Sequence, residues 1–406
     1  MLEKKICVLG LGYIGLPTAA ILAQRGYLVA GVDVNKNVVD TVNAGNIHIV
    51  EPDLDRIVDA AVSSGKLAAF TTPQPSDVYI ICVPTPFHDH GETPTPNIDF
   101  VLSAAATVAP MLKEGDIVIL ESTSPVGTTE HILNVFSKSA VDVDNIFVAY
   151  CPERVLPGNI VNELVENDRI VGGVNCKSSA RVAKFYRSFV TGEVFETNAR
   201  TSEMCKLAEN SFRDVNIAFA NELSLICDKN GIDVWELITL ANRHPRVDIL
   251  KPGAGVGGHC IAIDPWFIVA EDRVNSRLIR SAREINDNKT QWVIRKSLEA
   301  ASQLSEELGK AITIACFGAA FKPDIDDLRE SPALKVCQAL SKSSFDLIVV
   351  EPNVSSLDNF VIKDIDEAID QADLLIILVP HKPFLSPRII NKLCTKHLLD
   401  FVGLTS

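Results

Sequence analysis

A short apolar run, Ile6 to Leu9, leads into Gly10-x-Gly12-x-x-Gly15, and the next apolar run, from Val29, ends at Asp33. In such a pattern the first glycine permits a tight turn after a strand, and the second leaves room for a ligand against the backbone. The third lets the following helix lie close on that strand. A helix opening on this turn offers N–H groups and the positive end of its dipole to an anion. An acid at the end of the second strand accepts hydrogen bonds from a ribose 2'-OH and repels a 2'-phosphate. Gly10, Gly12, Gly15 and Asp33 therefore predict a bound dinucleotide, and NAD rather than NADP.

Further apolar runs follow at Val78–Val83, Ile117–Leu120 and Ile146–Ala149, separated by helical patterns. Continuous apolar strands alternating with helices are the mark of a parallel sheet covered on both faces, so the first block is α/β. From Thr201 the pattern turns helical. One helix reaches Asn230-Gly231, a second covers Asp233 to Arg243 before Pro245, and a third runs from Ser276 to Leu304. Helices of this length between two sheets suit a homodimer interface. A second alternating block then runs through Ile312–Gly318, Leu347–Glu351, Leu374–Val379 and Leu398–Val402. It carries Gly318-Ala-Ala-Phe321 where a second glycine fingerprint would lie, and so is expected to bind something other than a dinucleotide pyrophosphate. The fold class is thus α/β: an N-terminal Rossmann-type domain, a central helical connector and a C-terminal Rossmann-like domain, with boundaries expected at 1–199, 200–305 and 306–406.

Composition narrows the function. The 406 residues include 38 Lys and Arg against 52 Asp and Glu, a formal charge of -14. An acidic chain lacks the clustered cations that track a nucleic-acid backbone, so any anionic ligand must be held by a few placed groups. The 47% hydrophobic content excludes disorder. The uncharged stretch Ile6 to Ala23 imitates a leader or membrane segment, but Gly10, Gly12, Gly15 and Pro17 break it, and a soluble chain is expected. The 10 cysteines are scattered with no C-x-x-C pair, which fits reduced thiols in a cytoplasmic protein.

Two places carry chemistry. Gly253, Gly255, Gly257 and Gly258 surround Cys260 with bare backbone, and a helix is expected near Asp264-Pro265. A thiol there can be reached by a substrate and stabilised as a thiolate; a buried structural thiol is the alternative. His259 adjoins Cys260, but adjacent residues rarely face each other, so no Cys–His dyad is expected. Lys206, Asn210 and Arg213 stand at i, i+4 and i+7 on one helix face, and the neighbouring Phe212 and Ile217 suggest an enclosed helix. An enclosed cation and amide could stabilise an oxyanion. His88-Asp89-His90 is the one metal-like cluster; with Gly91, Pro94 and Pro96 beside it, a loop near the cofactor is the expected reading, and no metal site is assigned.

Gly255-Val-Gly-Gly-His-Cys260-x-x-x-Asp264, Glu203-x-x-Lys206-x-x-x-Asn210, Ser122-Thr-Ser-Pro-Val-Gly-Thr128 and Phe321-Lys-Pro-Asp-Ile-Asp-Asp-Leu-Arg329-Glu-Ser-Pro332 together resemble the UDP-glucose/GDP-mannose dehydrogenase family. The resemblance covers nearly the whole chain in the same order. It implies a four-electron oxidation of a sugar C6 alcohol to a carboxylate with two NAD+, through a thiohemiacetal and a thioester on Cys260. By the same resemblance Lys206 and Asn210 handle protons and the oxyanion, Asp264 positions Lys206 and water, and Thr123 and Glu153 lie near the nicotinamide and the hydrolytic water. Tyr13, Ile14, Asp33, Thr85, Thr123 and Arg329 would contact NAD. Arg154, Val155, Lys206, Asn210, Arg213, His244, Arg246, Gly257 and Lys322 would line the nucleotide-sugar site, with the C-terminal domain binding UDP.

The segment from Tyr150 to Gly158 is similar to the N-acetylhexosamine branch of that family, which implies UDP-N-acetyl-D-mannosamine as substrate. UDP-N-acetylglucosamine, UDP-N-acetylgalactosamine and UDP-glucose are the alternatives. A 3-hydroxyacid dehydrogenase would explain Lys206 and Asn210 but needs neither Cys260 nor a third domain. An NAD-dependent epimerase would need Tyr-x-x-x-Lys, which is absent: Pro17, Gly31, Val83, Arg154 and Val190 stand four residues after the five tyrosines. A non-catalytic nucleotide-sugar sensor is the remaining rival.

Overall fold

The computed structural model describes residues 4–88, 94–139, 141–156, 158–258 and 260–406. In the first block strands β1 (Lys5–Leu9), β2 (Leu28–Val32), β3 (Leu67–Phe70), β4 (Val78–Ile81), β5 (Ile117–Leu120), β6 (Phe147–Tyr150), β7 (Arg169–Gly173) and β8 (Val194–Asn198) form one sheet. Its order is β3-β2-β1-β4-β5-β6-β7-β8. Helices α1 (Gly15–Gln24), α2 (Lys36–Asn43), α3 (Leu54–Ser63), α4 (Asp99–Val108), α5 (Thr128–Phe136), α6 (Ile160–Glu166) and α7 (Cys176–Tyr186) connect them.

The apolar runs are continuous because both faces of the strands are buried. Ile6, Val8, Val78 and Ile80 pack into one core, and Cys7, Leu9, Tyr79 and Ile81 into the other, the period-two alternation of a strand between two layers. The order reverses between β1 and β4, which opens a crevice at the carboxyl ends of those strands, where ligands of doubly wound sheets bind.

The expected parallel sheet needs one correction: β6 and β7 are antiparallel. The chain therefore starts β7 at the same end of the sheet where β6 stopped, with no crossover between them. This brings Glu153, just after β6, to Arg169, the first residue of β7. Strands β3, β7 and β8 are additions to the sequence reading. Their patterns are mixed, as in Leu67–Phe70, which alternates buried and exposed because it forms an edge of the sheet.

The helical stretch holds α8 (Ala199–Asn230), α9 (Val234–Ala241), α10 (Asp264–Glu271) and α11 (Arg277–Leu308). Beyond it β9 (Thr313–Phe317), α12 (Pro332–Leu340), β10 (Asp346–Val350), β11 (Val361–Ile362), α13 (Ile365–Gln371), β12 (Leu374–Ile377), α14 (Pro387–Leu393) and β13 (His397–Asp400) build a parallel sheet of order β11-β10-β9-β12-β13. The chain divides into two compact units, Met1–Ala208 and Glu209–Ser406. The division falls within α8, so the helical connector shares a unit with the second sheet.

Buried polar bonds tie α8 to α11. Arg283 donates to Asp214 over 2.7 Å, Asn286 to Asp214 over 2.8 Å, and Lys289 to the Ser224 hydroxyl over 2.7 Å. Earlier in α8, the buried Glu203 carboxylate accepts from the Gly127 and Thr129 N–H groups and the Thr129 hydroxyl, capping the start of α5.

The expectation of an enclosed α8 fails in part. Lys206, Asn210 and Ile217 are half-buried, but Arg213 is exposed and Phe212 is 71% exposed. Phe219 and Ile226, seven and fourteen residues on, are also exposed, so an apolar seam runs down the helix. Hydrophobicity alone cannot separate a residue inside its own unit from one that faces outward.

Candidate active site

The glycine turn has the geometry of a dinucleotide cradle. Gly10 takes a positive φ of 92°, and a Cβ there would lie 2.5 Å from the Cys82 carbonyl oxygen. A Cβ on Gly15 would lie 1.8 Å from the Gly10 carbonyl oxygen, whereas one on Gly12 would meet nothing within 4 Å. Gly10 and Gly15 are thus required by the backbone, and Gly12 keeps open the side from which a pyrophosphate approaches. The first turn of α1 has no acid to compete with an anion. Asp33 accepts from Leu11 N over 3.1 Å and from Asn35 N over 2.9 Å, so it anchors the glycine loop while its remaining lone pairs stay available to a ribose. Tyr13 and Ile14, which follow Gly12, are half-buried.

Thr85 and Thr123, from the loops after β4 and β5, are brought together: the Thr85 hydroxyl donates to the Thr123 carbonyl over 2.6 Å. Glu153 is 6% exposed and bonded through both of its carboxylate oxygens. It accepts from Arg169 Nη1 over 2.5 Å and from Arg154 N over 2.7 Å, while Arg169 also donates to the Leu164 carbonyl over 2.6 Å. Arg154 reaches the Asp168 carbonyl over 3.2 Å, and Val155 packs on the adjoining core.

Arg169 belongs to a buried cluster that the sequence reading did not single out. Tyr186 donates to Glu121 over 2.6 Å and Cys82 donates to it over 3.3 Å. Burial, reinforced by the nearby Glu153, pushes the Glu121 carboxyl up. The signal in the sequence was an acid closing an otherwise apolar strand, Ile117 to Glu121.

In the second unit Cys260 is exposed, so the alternative of a buried structural thiol fails. Its carbonyl accepts from Ile263 and Asp264 N–H over 3.0 and 2.8 Å, which sets the residue in the turn that leads into α10. The glycines before it are needed for packing: a Cβ on Gly257 would lie 2.6 Å from the Glu330 carbonyl oxygen and one on Gly258 2.8 Å from the Phe321 ring. Gly258 N donates to the Arg329 carbonyl over 3.2 Å, so the loop before Cys260 rests on the loop holding Phe321 to Ser331. Asp264 is 2% exposed and accepts from the Asn210 amide over 2.5 Å. Cys176 and Cys394 are also exposed, because each sits at a helix terminus.

Arg329 forks onto Asp327 over 2.8 and 2.6 Å, and Lys322 lies half-buried in the same loop. His244 and Arg246 are exposed on the turn after α9, which Asn242 closes through two bonds to Ile249. Of the metal-like cluster, Asp89 and His90 lie outside the described residues, as does His259. No described helix is long and apolar enough to cross a membrane.

Three family models match in succession: the NAD binding domain of the UDP-glucose/GDP-mannose dehydrogenase family over residues 4–190, its central domain over 200–288 and its UDP binding domain over 315–405. The chain belongs to the UDP-glucose/GDP-mannose dehydrogenase family. It is an NAD-dependent UDP-sugar dehydrogenase with three domains, as its motifs implied. Curated relatives within the family include a UDP-N-acetyl-D-mannosamine dehydrogenase of Yersinia pestis, 54% identical over 94% of each chain. Another is an NDP-N-acetyl-D-galactosaminuronic acid dehydrogenase of Ralstonia nicotianae, 51% identical over 94% of this chain and 92% of that one. Among solved structures, a UDP-N-acetyl-mannosamine dehydrogenase of Staphylococcus aureus superposes with a TM-score of 0.87 at 40% identity, covering 99% of this chain and 96% of that one.

Proposed function

We propose that this enzyme oxidises the C6 alcohol of UDP-N-acetyl-D-mannosamine to the carboxylate, giving UDP-N-acetyl-D-mannosaminuronate for surface polysaccharide synthesis. The carrying observation is an exposed cysteine, Cys260, in the turn leading into a helix and behind a glycine-rich loop, with the Asn210–Asp264 pair in the same unit. The relatives named for the mannosamine sugar support the substrate. The galactosaminuronate relative at similar identity makes the galacto epimer the second reading. We place the domain boundaries at 1–199, 200–305 and 306–406, and the reaction in the cytoplasm.

Gly10, Gly12, Tyr13, Ile14, Gly15, Asp33, Thr85, Thr123 and Arg329 would hold NAD, and the open face at Gly12 and the acid-free start of α1 fit it. Bound NAD+ supplies a hydride acceptor for each of the two oxidations. In the first, the C6 hydroxyl gives up its proton while Lys206 and Asn210 steady the oxygen. The Cys260 sulfur then bonds to the aldehyde carbon, and the resulting alkoxide rests on the same cation and amide. Oxidation of that thiohemiacetal leaves a thioester. Water, ordered by Glu153 and Asp264, attacks the thioester carbon. The C–S bond breaks, the thiolate returns to Cys260 and the acid departs. Arg154, Val155, Arg213, His244, Arg246, Gly257 and Lys322 would hold the nucleotide sugar, their cations meeting the diphosphate.

The test is the yield of NADH per sugar with UDP-N-acetylmannosamine, alongside the gluco and galacto epimers. The wild type should give two NADH and an acid product. Cys260→Ser should lose acid formation by about 10³-fold or more. Undiminished acid production by that variant defeats the covalent mechanism, and a better galacto substrate defeats the sugar assignment alone.

A further inference from the structure

Glu351 follows β10 in the second sheet as Asp33 follows β2 in the first, and it does the same local work. It accepts from Ala319 N over 2.7 Å and from Ala320 N over 3.0 Å, pinning the start of the loop after β9. Against it lies His381, fully buried in the turn after β12. His381 Nδ1 accepts from Asp324 N over 2.9 Å. A backbone N–H can only donate, so Nδ1 carries no proton, and the ring gives its Nε2–H to Glu351 over 3.1 Å. The Asn353 amide also meets Nδ1, at 3.0 Å, and the ring stands edge-on to Phe384. One imidazole thus joins the loops after β9, β10 and β12, at the point where the strand order of this sheet reverses.

The residue it holds is unusual. Asp324 has a φ of 61°, a left-handed backbone that costs a non-glycine residue energy, though aspartate less than most. Its carboxylate accepts from Lys382 N over 2.8 Å, so His381 and the residue after it both grip Asp324. Lys322 stands two residues before this anchor. The far end of the loop is held by the Ser331 hydroxyl, which donates to the Ala319 carbonyl over 2.6 Å, tying it back to the start of the loop, and accepts from Leu334 N at the start of α12.

We propose that His381 is a positioning residue for nucleotide-sugar binding: its Nδ1, accepting from Asp324 N, sets the turn that presents Lys322 to the UDP diphosphate. The inference rests on the reading of Lys322 as a diphosphate ligand. Because Ser331 also caps α12, the end of the loop nearest the Cys260 glycines keeps a hold that does not run through His381, so loosening the Asp324 end lowers affinity for the nucleotide sugar and leaves turnover at saturation intact.

The two ring nitrogens can be tested apart. His381→Asn keeps an acceptor near the Nδ1 position, and His381→Gln keeps a donor near the Nε2 position. His381→Gln is expected to raise KM for the UDP-sugar and Kd for UDP by about tenfold, with kcat within about twofold, while His381→Asn stays within about threefold of wild type. Lys322→Ala, measured beside them, should raise the same constants. If Lys322→Ala raises them and His381→Gln does not, or if the Asn and Gln variants suffer equally, the positioning role is wrong. If Lys322→Ala changes nothing, the diphosphate reading itself is wrong. Hydrogen exchange on the wild type needs no variant: the Asp324 amide should be strongly protected, and free exchange there overturns the proposal.

Discussion

The Asn210 side-chain amide donates to the Asp264 carboxylate over 2.5 Å, joining the middle of α8 to the first residue of α10. The bond fixes which way the Asn210 amide faces. Its N–H is committed to Asp264, and the rest of the amide stays oriented for a second partner.

This pair predicts non-additive kinetics. Asn210→Ala should lower kcat by about 10²-fold, the usual loss for one oxyanion donor, with KM for NAD+ little changed. Asp264→Ala should cost about as much, because it frees the amide, and the double variant should be little worse than either single. A coupling energy of about 1–3 kcal/mol from the double-mutant cycle is expected; additive losses would mean that the two residues act separately.

The glycine turn predicts a contrast between two alanines. Gly15→Ala forces a Cβ into the Gly10 carbonyl and should destabilise the fold by about 1–3 kcal/mol, read as a lower denaturant midpoint. Gly12→Ala meets only open space, so stability should hold while KM for NAD+ rises about tenfold or more. Equal stability losses in both variants would count against the cradle.

Lys289 predicts a pH-dependent stability. Its ammonium is 2% exposed between α8 and α11, 4.1 Å from the Trp292 ring centroid, and burial lowers its pKa to about 7. In the unfolded chain the lysine stays protonated up to its ordinary value of 10.5. Between about pH 7 and pH 10 the unfolded state therefore binds more protons, and stability should rise with pH by up to about 1.4 kcal/mol per unit. Lys289→Met should flatten that rise. Denaturant midpoints at pH 7 and pH 9, compared between the two proteins, decide the matter.

The exposed seam of α8 predicts a homodimer. Phe212, Phe219 and Ile226 are 71%, 51% and 50% exposed and recur every seven residues, the spacing of a helix that packs against another. Light scattering should give twice the chain mass of 44.1 kDa, and Phe212→Glu with Phe219→Glu should reduce it to one chain. A wild-type monomer would contradict the expectation.

Much of the fold was legible because burial on both faces writes an unbroken apolar run. Val78–Ile81, Ile117–Leu120 and Leu374–Ile377 are buried at every position and stand out from the helices between them. Edge and reversed strands did not stand out. Leu67–Phe70 alternates, and Arg169–Gly173 opens on a charge, which reads as a loop until Glu153 is found beside it. The glycine fingerprint and Cys260 were legible for another reason: each is a local demand, of backbone room or of reactivity, stated by neighbouring residues.

The sequence by itself determined the two α/β blocks, the glycine turn between β1 and α1 and the family to which the chain belongs. Local patterns carry that information, since strand burial and tight turns depend on near neighbours. Only the tertiary structure decided that Glu153 is held by Arg169, that Asn210 faces Asp264, that Phe212 lies outside the core and that His381 binds three loops into one. Those partners are 16, 54 and up to 57 residues apart in the chain. No local pattern records such a meeting, because it depends on where the ends of separate strands arrive once the sheets have formed.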